Sequence, residues 1–162
     1  MVIGFEGALM TSCGTANFEG TLSGSSKSLS TSVTLAVCAA FGFTTATVNT
    51  NGCGYVFNAG TGSGGSSTGT IDVSCPAGKV ITASGGNCEI QIGPQTGIGP
   101  VGYSSQTEKG AKVVTIGFEA KSFAYTKTKD GLACPLNGTG SNTDGIIVGG
   151  ATAKTASGIW VE

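Results

Sequence analysis

The sequence predicts an all-β domain: an antiparallel sandwich or barrel of about ten short strands, stapled by disulfides. Three observations carry that reading. Apolar and polar residues alternate with a period of two through most of the chain. Clusters of Gly, Asn, Ser and Pro interrupt the alternation at close intervals. Six cysteines, at 13, 38, 53, 75, 88 and 134, are scattered with no CxxC pair. The 162 residues fit one domain, 1–162, and no internal repeat divides them.

The elements follow in order. NFEGTL (17–22) and SVTLAVC (32–38) form a first pair across the Ser/Gly-rich GSSKS (24–28). In the second run Val33, Leu35 and Val37 alternate with Thr34, Ala36 and Cys38, which favours a strand over a short helix. TTATVNT (44–50) and CGYVF (53–57) flank Asn51-Gly52, a strong hairpin signal. NAGTGSGGSSTG (58–69) reads as a flexible loop. TIDVSC (70–75), KVITAS (79–84) and CEIQI (88–92) form a meander through the CPAG and Gly85-Gly86-Asn87 turns.

GPQTGIGP (93–100) reads as a Pro/Gly loop leading to VGYSSQ (101–106) and the TEKG turn. In AKVVTIGFEAKSFAY (111–125), Val114, Ile116, Phe118 and Ala120 share one parity, and Phe123 and Tyr125 have the other. That switch predicts a bulge near Lys121-Ser122. A hairpin signal at Asp130-Gly131, LACPL (132–136), a loop at 137–145, IIVGGATAK (146–154) and GIWVE (158–162) complete the chain.

The meander also selects a disulfide pairing among the fifteen that six cysteines allow. Cys75 ends one strand and Cys88 begins the next but one, so a strand length of more than about 15 Å separates them. A bridge needs Cα atoms within about 7 Å. If the strands of Cys53 and Cys75 pair antiparallel, those two residues share an end. Cys13 and Cys38 flank the first hairpin. The expected bridges are 13–38, 53–75 and 88–134.

Composition removes much chemistry. Histidine is absent and all eight basic residues are lysine, so there is no arginine. Ser/His/Asp and Cys/His catalysis are therefore excluded. Zinc sites want CxxC pairs or histidine, and the SxxK spacing of Ser-Lys enzymes does not occur. Asp72, Glu89 and Glu119 fall opposite the apolar parity and read as solvent-facing, not as a glycosidase pair. Asn142 and Asp144 lie in a turn without a calcium-loop pattern. The Gly-rich 60–69 stretch lacks the GK[ST] ending of a phosphate loop. No metal or cofactor is expected.

Thr45, Thr47 and Thr50 fall nearly on one strand face, the ordinary place for exposed Thr. Asn137-Gly138-Thr139 fits the N-glycosylation sequon. Tyr55, Tyr103 and Trp160 are the candidate ligand-contact aromatics, for a carbohydrate or other ligand, against a core role for the tyrosines.

Net charge is −1 and charged residues make up 10% of the chain, so nothing favours nucleic acid or an anionic membrane. No segment is long and apolar enough to span a bilayer. Disulfides imply an oxidising compartment. The start, MVIGF, lacks a basic, long apolar signal peptide, so the expectation is that a signal was removed and Met1 stands in its place.

The runs NGCGYVF, TGTIDVSCPAGKVIT and NCEIQIGPQTG, with the later LACPL and TGSNTDG, resemble a group of small secreted or envelope-attached bacterial proteins, mostly actinobacterial, without assigned function. The resemblance covers residues 11–162 and implies an extracellular β-protein. It supplies no catalytic residue. The expectation is a non-catalytic extracellular or cell-envelope module, structural or interacting, with self-association or a cell-surface polymer as candidate partners.

Overall fold

The structure is a computed structural model that describes residues 2–5, 8–20, 26–40, 44–108, 111–130, 134 and 140–155. Among the described residues twelve strands form one antiparallel sheet. They are β1 (Val2–Phe5), β2 (Ala8–Gly20), β3 (Ser28–Ala40), β4 (Thr44–Thr45), β5 (Thr47–Asn49) and β6 (Gly54–Ser63). β7 (Ser66–Ser74), β8 (Ile81–Gly85), β9 (Cys88–Ile92), β10 (Gln95–Glu108), β11 (Ala111–Asp130) and β12 (Gly140–Thr155) follow.

The pairing resolves into eight lines, because three are broken. β4, β5 and β6 run end to end: β4 and β6 both pair β3, while β5 pairs β8 and β6 pairs β7. β7 and β8 make the next line, and β9 and β10 the one after. β8 pairs β9, β7 pairs β10, and both β9 and β10 pair β11. β11 pairs β12, β12 pairs β1, β1 pairs β2 and β2 pairs β3. The circuit is closed, and the curled sheet is an up-and-down barrel.

Apolar side chains fill it. Tyr55, Phe57, Ile71, Val73, Ile81, Ile90, Ile92, Val101, Phe118, Phe123 and Ile147 are all buried in one cluster. Phe18 bridges the rings of Tyr55 and Phe57, with centroids 6.0 and 5.6 Å away. Phe118 packs on Phe57 at 6.1 Å. Outward positions are polar: Ser28, Ser30, Ser32 and Thr34 on β3, Thr15, Asn17 and Glu19 on β2, and Ser66, Thr68 and Ser74 on β7 are exposed. That arrangement is the reverse of a lipid-facing barrel. No helix among the described residues is long and apolar enough to cross a membrane.

Phe118 stands opposite Gly149, and Phe123 opposite Gly145. A Cβ on Gly149 would lie 2.7 Å from Phe118 Cζ, so glycine leaves the space that the ring fills. Between those pairs the register shifts from Ala120 to Phe123, and Phe118, Phe123 and Tyr125 all end up buried. The expected parity switch near 121–122 is therefore present.

Several expectations are corrected. Asn51-Gly52 makes a turn, with φ of 51° and 82°, but β5 and β6 do not pair across it. The turn steps one line past a break instead of reversing it. The 58–69 segment is not a loop. Its two halves pair as the arms of the β6–β7 hairpin, with Gly64 and Gly65 supplying the positive φ of the turn. Residues 95–100 belong to β10, and the register shifts around Ile98 make room for Pro100 in the ladder. Gly140–Gly145 belongs to β12, so Asn142 and Asp144 are strand residues. Val37 does not continue the inward alternation. It has φ 54° and is 81% exposed, while Cys38 faces inward. A β-branched residue in that region costs about 1–3 kcal/mol. The sequon at 137–139 lies outside the described residues, as does most of LACPL.

Replacing Gly149 by Ala should destabilise the fold by about 1–3 kcal/mol, because the added Cβ would push on the buried Phe118 ring, which must shift within the core. Chemical denaturation would show this as a lower midpoint with an unchanged slope.

Candidate functional site

The three broken lines interrupt at one level, forming a seam of turns across the wall at residues 50–53, 75–80 and 93–97, of which Gly52, 76–79, Pro94, Thr96 and Gly97 are exposed. Each interruption removes backbone ladder bonds, and buried backbone groups must find other partners. Side chains supply them. Gln95 bonds Ala124 at both ends: its Nε2 donates to the Ala124 carbonyl at 2.9 Å, and the Ala124 N–H donates to Oε1 at 2.9 Å. It stands in for a strand residue where β11 passes from pairing β10 to pairing β9. Asn51 Nδ2 donates to the Val80 carbonyl at 2.8 Å, joining the first two turns. Asp72 accepts from the Gly97 N–H at 2.7 Å and from Asn58 Nδ2 at 2.8 Å. Ser28 Oγ donates to Asn58 Oδ1 at 2.8 Å and extends this chain to β3.

Cys53 and Cys75 sit on the seam and are bonded to each other. Gly54 and Ser74 are register partners, so the bridge continues the β6–β7 ladder by one step. Cys13 bonds Cys38, its direct partner across β2 and β3. Cys88 bonds Cys134, just beyond the Cys88–Asp130 pairing. All three bridges are those expected, and no described cysteine is free.

The carboxylates whose side chains are described, Glu19, Asp72, Glu89 and Glu119, are engaged in structure or exposed. Glu89 accepts from Lys129 Nζ at 2.6 Å and from Thr128 Oγ1 at 2.8 Å. The hydrogen bond from Lys129, then that from Thr128, holds its carboxyl below the usual range. Asp72 and Glu89 keep the expected parity opposite the buried residues and are partly covered by these partners; Glu19 and Glu119 are exposed. Among the described residues no cluster of three or more His, Cys, Asp or Glu could hold a metal. Thr45 and Thr47 share an exposed face, but Thr50 is half-buried, so the three do not form one array.

The candidate aromatics are corrected too. Tyr55 is 1% exposed and Tyr103 5% exposed, so neither offers a ring face to a ligand from the outer wall. Inward strand parity and the aromatic cluster claim both rings. Trp160 lies outside the described residues. Tyr103 Oη donates to the Thr70 carbonyl at 3.0 Å, and burial pushes its pKa up to about 12. Tyr55 Oη has no hydrogen-bond partner among the described residues, and burial raises its pKa further. Sequence reasoning missed Lys127, which is buried with Phe123 and Tyr125. The signal was available, since 123, 125 and 127 share one parity.

No family model, no curated protein and no solved structure matches the chain.

The two tyrosines give a signed pH dependence. Each folded-state pKa lies above the unfolded value of about 10, so the neutral form stabilises the fold below pH 10. That contribution drains away as pH rises, through about 12 for Tyr103. Unfolding free energy should therefore fall above pH 10, by up to about 1.4 kcal/mol per pH unit for each tyrosine. At pH 7, Tyr55→Phe should leave stability unchanged or raise it, because it removes an unpaired buried hydroxyl. Tyr103→Phe should cost about 1 kcal/mol. Denaturant titrations of both variants at pH 7 and pH 11 check the pair. Gln95→Ala, which strips two bonds from the seam, should cost about 1–3 kcal/mol in the same assay.

Proposed function

We propose that the chain is a non-catalytic module of the extracellular space or cell envelope, structural or interacting, that self-associates through its outer wall. The observation that carries the reading is the division of labour between the two faces. The interior is occupied mainly by apolar side chains, with Lys127 buried among them, while exposed Ser, Thr and Asn predominate on the outer faces of β2, β3 and β7, Val37 being the apolar exception. Three disulfides tie neighbouring parts of the wall, as suits an oxidising compartment.

Closure of the circuit leaves strand addition at an edge a poor route to association. Face-to-face contact is the route that remains, and little charge opposes it at a net −1. A carbohydrate-binding role has lost its tyrosine platform, and Trp160 alone of the candidate aromatics is left to it.

Light scattering on size-exclusion fractions tests the proposal. The expected outcome is a concentration-dependent oligomer that Ser30→Lys with Ser32→Lys returns to monomer, since both serines are exposed on β3. A monomer at millimolar concentration would sink self-association.

A further inference from the structure

We propose that two copies of this chain exchange halves. Residues 80–162 of each copy complete the barrel that residues 1–75 of the other begin, and residues 76–79 form the link.

Strand pairing divides the chain at that link. In the first half β1 pairs β2, β2 pairs β3, β3 pairs β4 and β6, and β6 pairs β7. In the second, β8 pairs β9, both β9 and β10 pair β11, and β11 pairs β12. Each half is thus a contiguous curled sheet. Among the described residues three pairings join the halves: β7 with β10, β1 with β12 and β5 with β8. They carry six, four and three register pairs, against nine in β2–β3 and thirteen in β11–β12. Each half is therefore tied more firmly within itself than to the other.

The disulfides respect the same boundary. The 13–38 and 53–75 bridges lie in the first half and 88–134 in the second, so no bridge joins the halves. The link itself is exposed at Pro76, Ala77, Gly78 and Lys79. Its turn is closed by the Lys79 N–H donating to the Pro76 carbonyl at 2.9 Å. Proline biases the residue before it toward extended backbone. Opened out, Cys75 to Val80 reaches about 17 Å. Facing sheets lie about 10 Å apart, so the link can cross from one barrel wall to another.

Each half alone would leave an apolar face bare. Tyr55, Phe57 and Val73 belong to the first half, and Ile92, Phe118 and Phe123 to the second, and all are buried where the halves meet. Phe57 and Phe118 touch across the boundary, with centroids 6.1 Å apart. The second half of another copy supplies the same contacts, so exchange forgoes little beyond the 76–79 turn. Concentration then decides, because a short link holds the halves of one chain at an effective concentration on the order of millimolar. This goes beyond the outer-wall contact proposed above. That contact joins closed barrels, whereas exchange takes place before they close.

The test uses Ser66→Cys with Ser104→Cys, exposed register partners on β7 and β10, to place a bridge across the boundary. Isotope-labelled and unlabelled chains are reduced, unfolded and refolded together under oxidising conditions, and bridged peptides are read by mass spectrometry. Exchange joins a labelled to an unlabelled peptide in the 66–104 bridge, while 13–38, 53–75 and 88–134 stay unmixed. Mixed 66–104 bridges should be confined to the dimer fraction and rise at least about tenfold between ~10 µM and ~1 mM chain. Thr47→Cys with Ser84→Cys, across β5 and β8, repeats the test at a second pairing. No mixing at either pairing overturns the proposal, as does mixing of all bridges alike, which is scrambling. Adding Ser30→Lys with Ser32→Lys separates the two readings. An oligomer lost to these lysines and free of mixed bridges leaves the outer-wall contact standing and overturns exchange. Mixed bridges that survive them support exchange alone.

Discussion

Backbone hydrogen bonding around a closed wall is the constraint on which the other features depend. In a barrel every strand needs two neighbours, and a line that breaks leaves donors and acceptors with no ladder partner. Three adjacent lines break here at one level. The residues at that level answer to it: Gln95 copies a strand residue toward Ala124, Asn51 reaches Val80, and Asp72 receives the Gly97 N–H. The Cys53–Cys75 bridge does covalently what the next ladder pair would do by hydrogen bonding. The breaks carry a gain. Three short lines can turn independently of their continuations, so the wall follows the strong curvature of a small barrel without straining one long strand.

The same constraint explains the composition. A narrow interior packed with Phe and Tyr rings needs small residues opposite them, and Gly145 and Gly149 fill that role on β12. The outer wall needs residues that tolerate extended backbone and carry polar tips, hence Ser and Thr. Few charges are required, because cross-links supply stability that a larger core would otherwise provide. The bridges span 25, 22 and 46 residues, and each contributes about 2–4 kcal/mol.

Much of this was legible in the sequence, and the failures have physical causes. Period-2 alternation marked CEIQI to the residue, and the change of parity between Phe118 and Phe123 marked the bulge. The cysteine pairing followed from strand direction, because a bridge tests only whether two residues share a neighbourhood. Asn51-Gly52 misled because positive φ specifies a turn of the backbone, not where the chain goes after it. The Gly/Ser run at 58–69 misled because glycine is read as flexibility, while here it permits close approach of β6 and β7: a Cβ on Gly69 would lie 1.9 Å from the Asn58 carbonyl oxygen. Tyr55 and Tyr103 were left open between ligand and core because period-2 parity gives a face but not which face is inside. Only closure of the barrel decides that.

Closure therefore decides where function can reside. Once the rings of Tyr55, Tyr103 and Phe118 are enclosed, the groups most able to recognise a ligand by stacking are spent on packing. Among the carboxylates whose side chains are described, Asp72 and Glu89 are tied into cross-strand bonds and Glu19 and Glu119 are exposed. What remains outward on β2, β3 and β7 is mainly hydroxyl and amide, with little charge. Such a surface gives weak, repeated and shallow contacts, which become useful when many copies act together. The proposed role follows from that arithmetic: a wall of this kind gains little from binding one small molecule and much from lying against another extended polar surface, including its own.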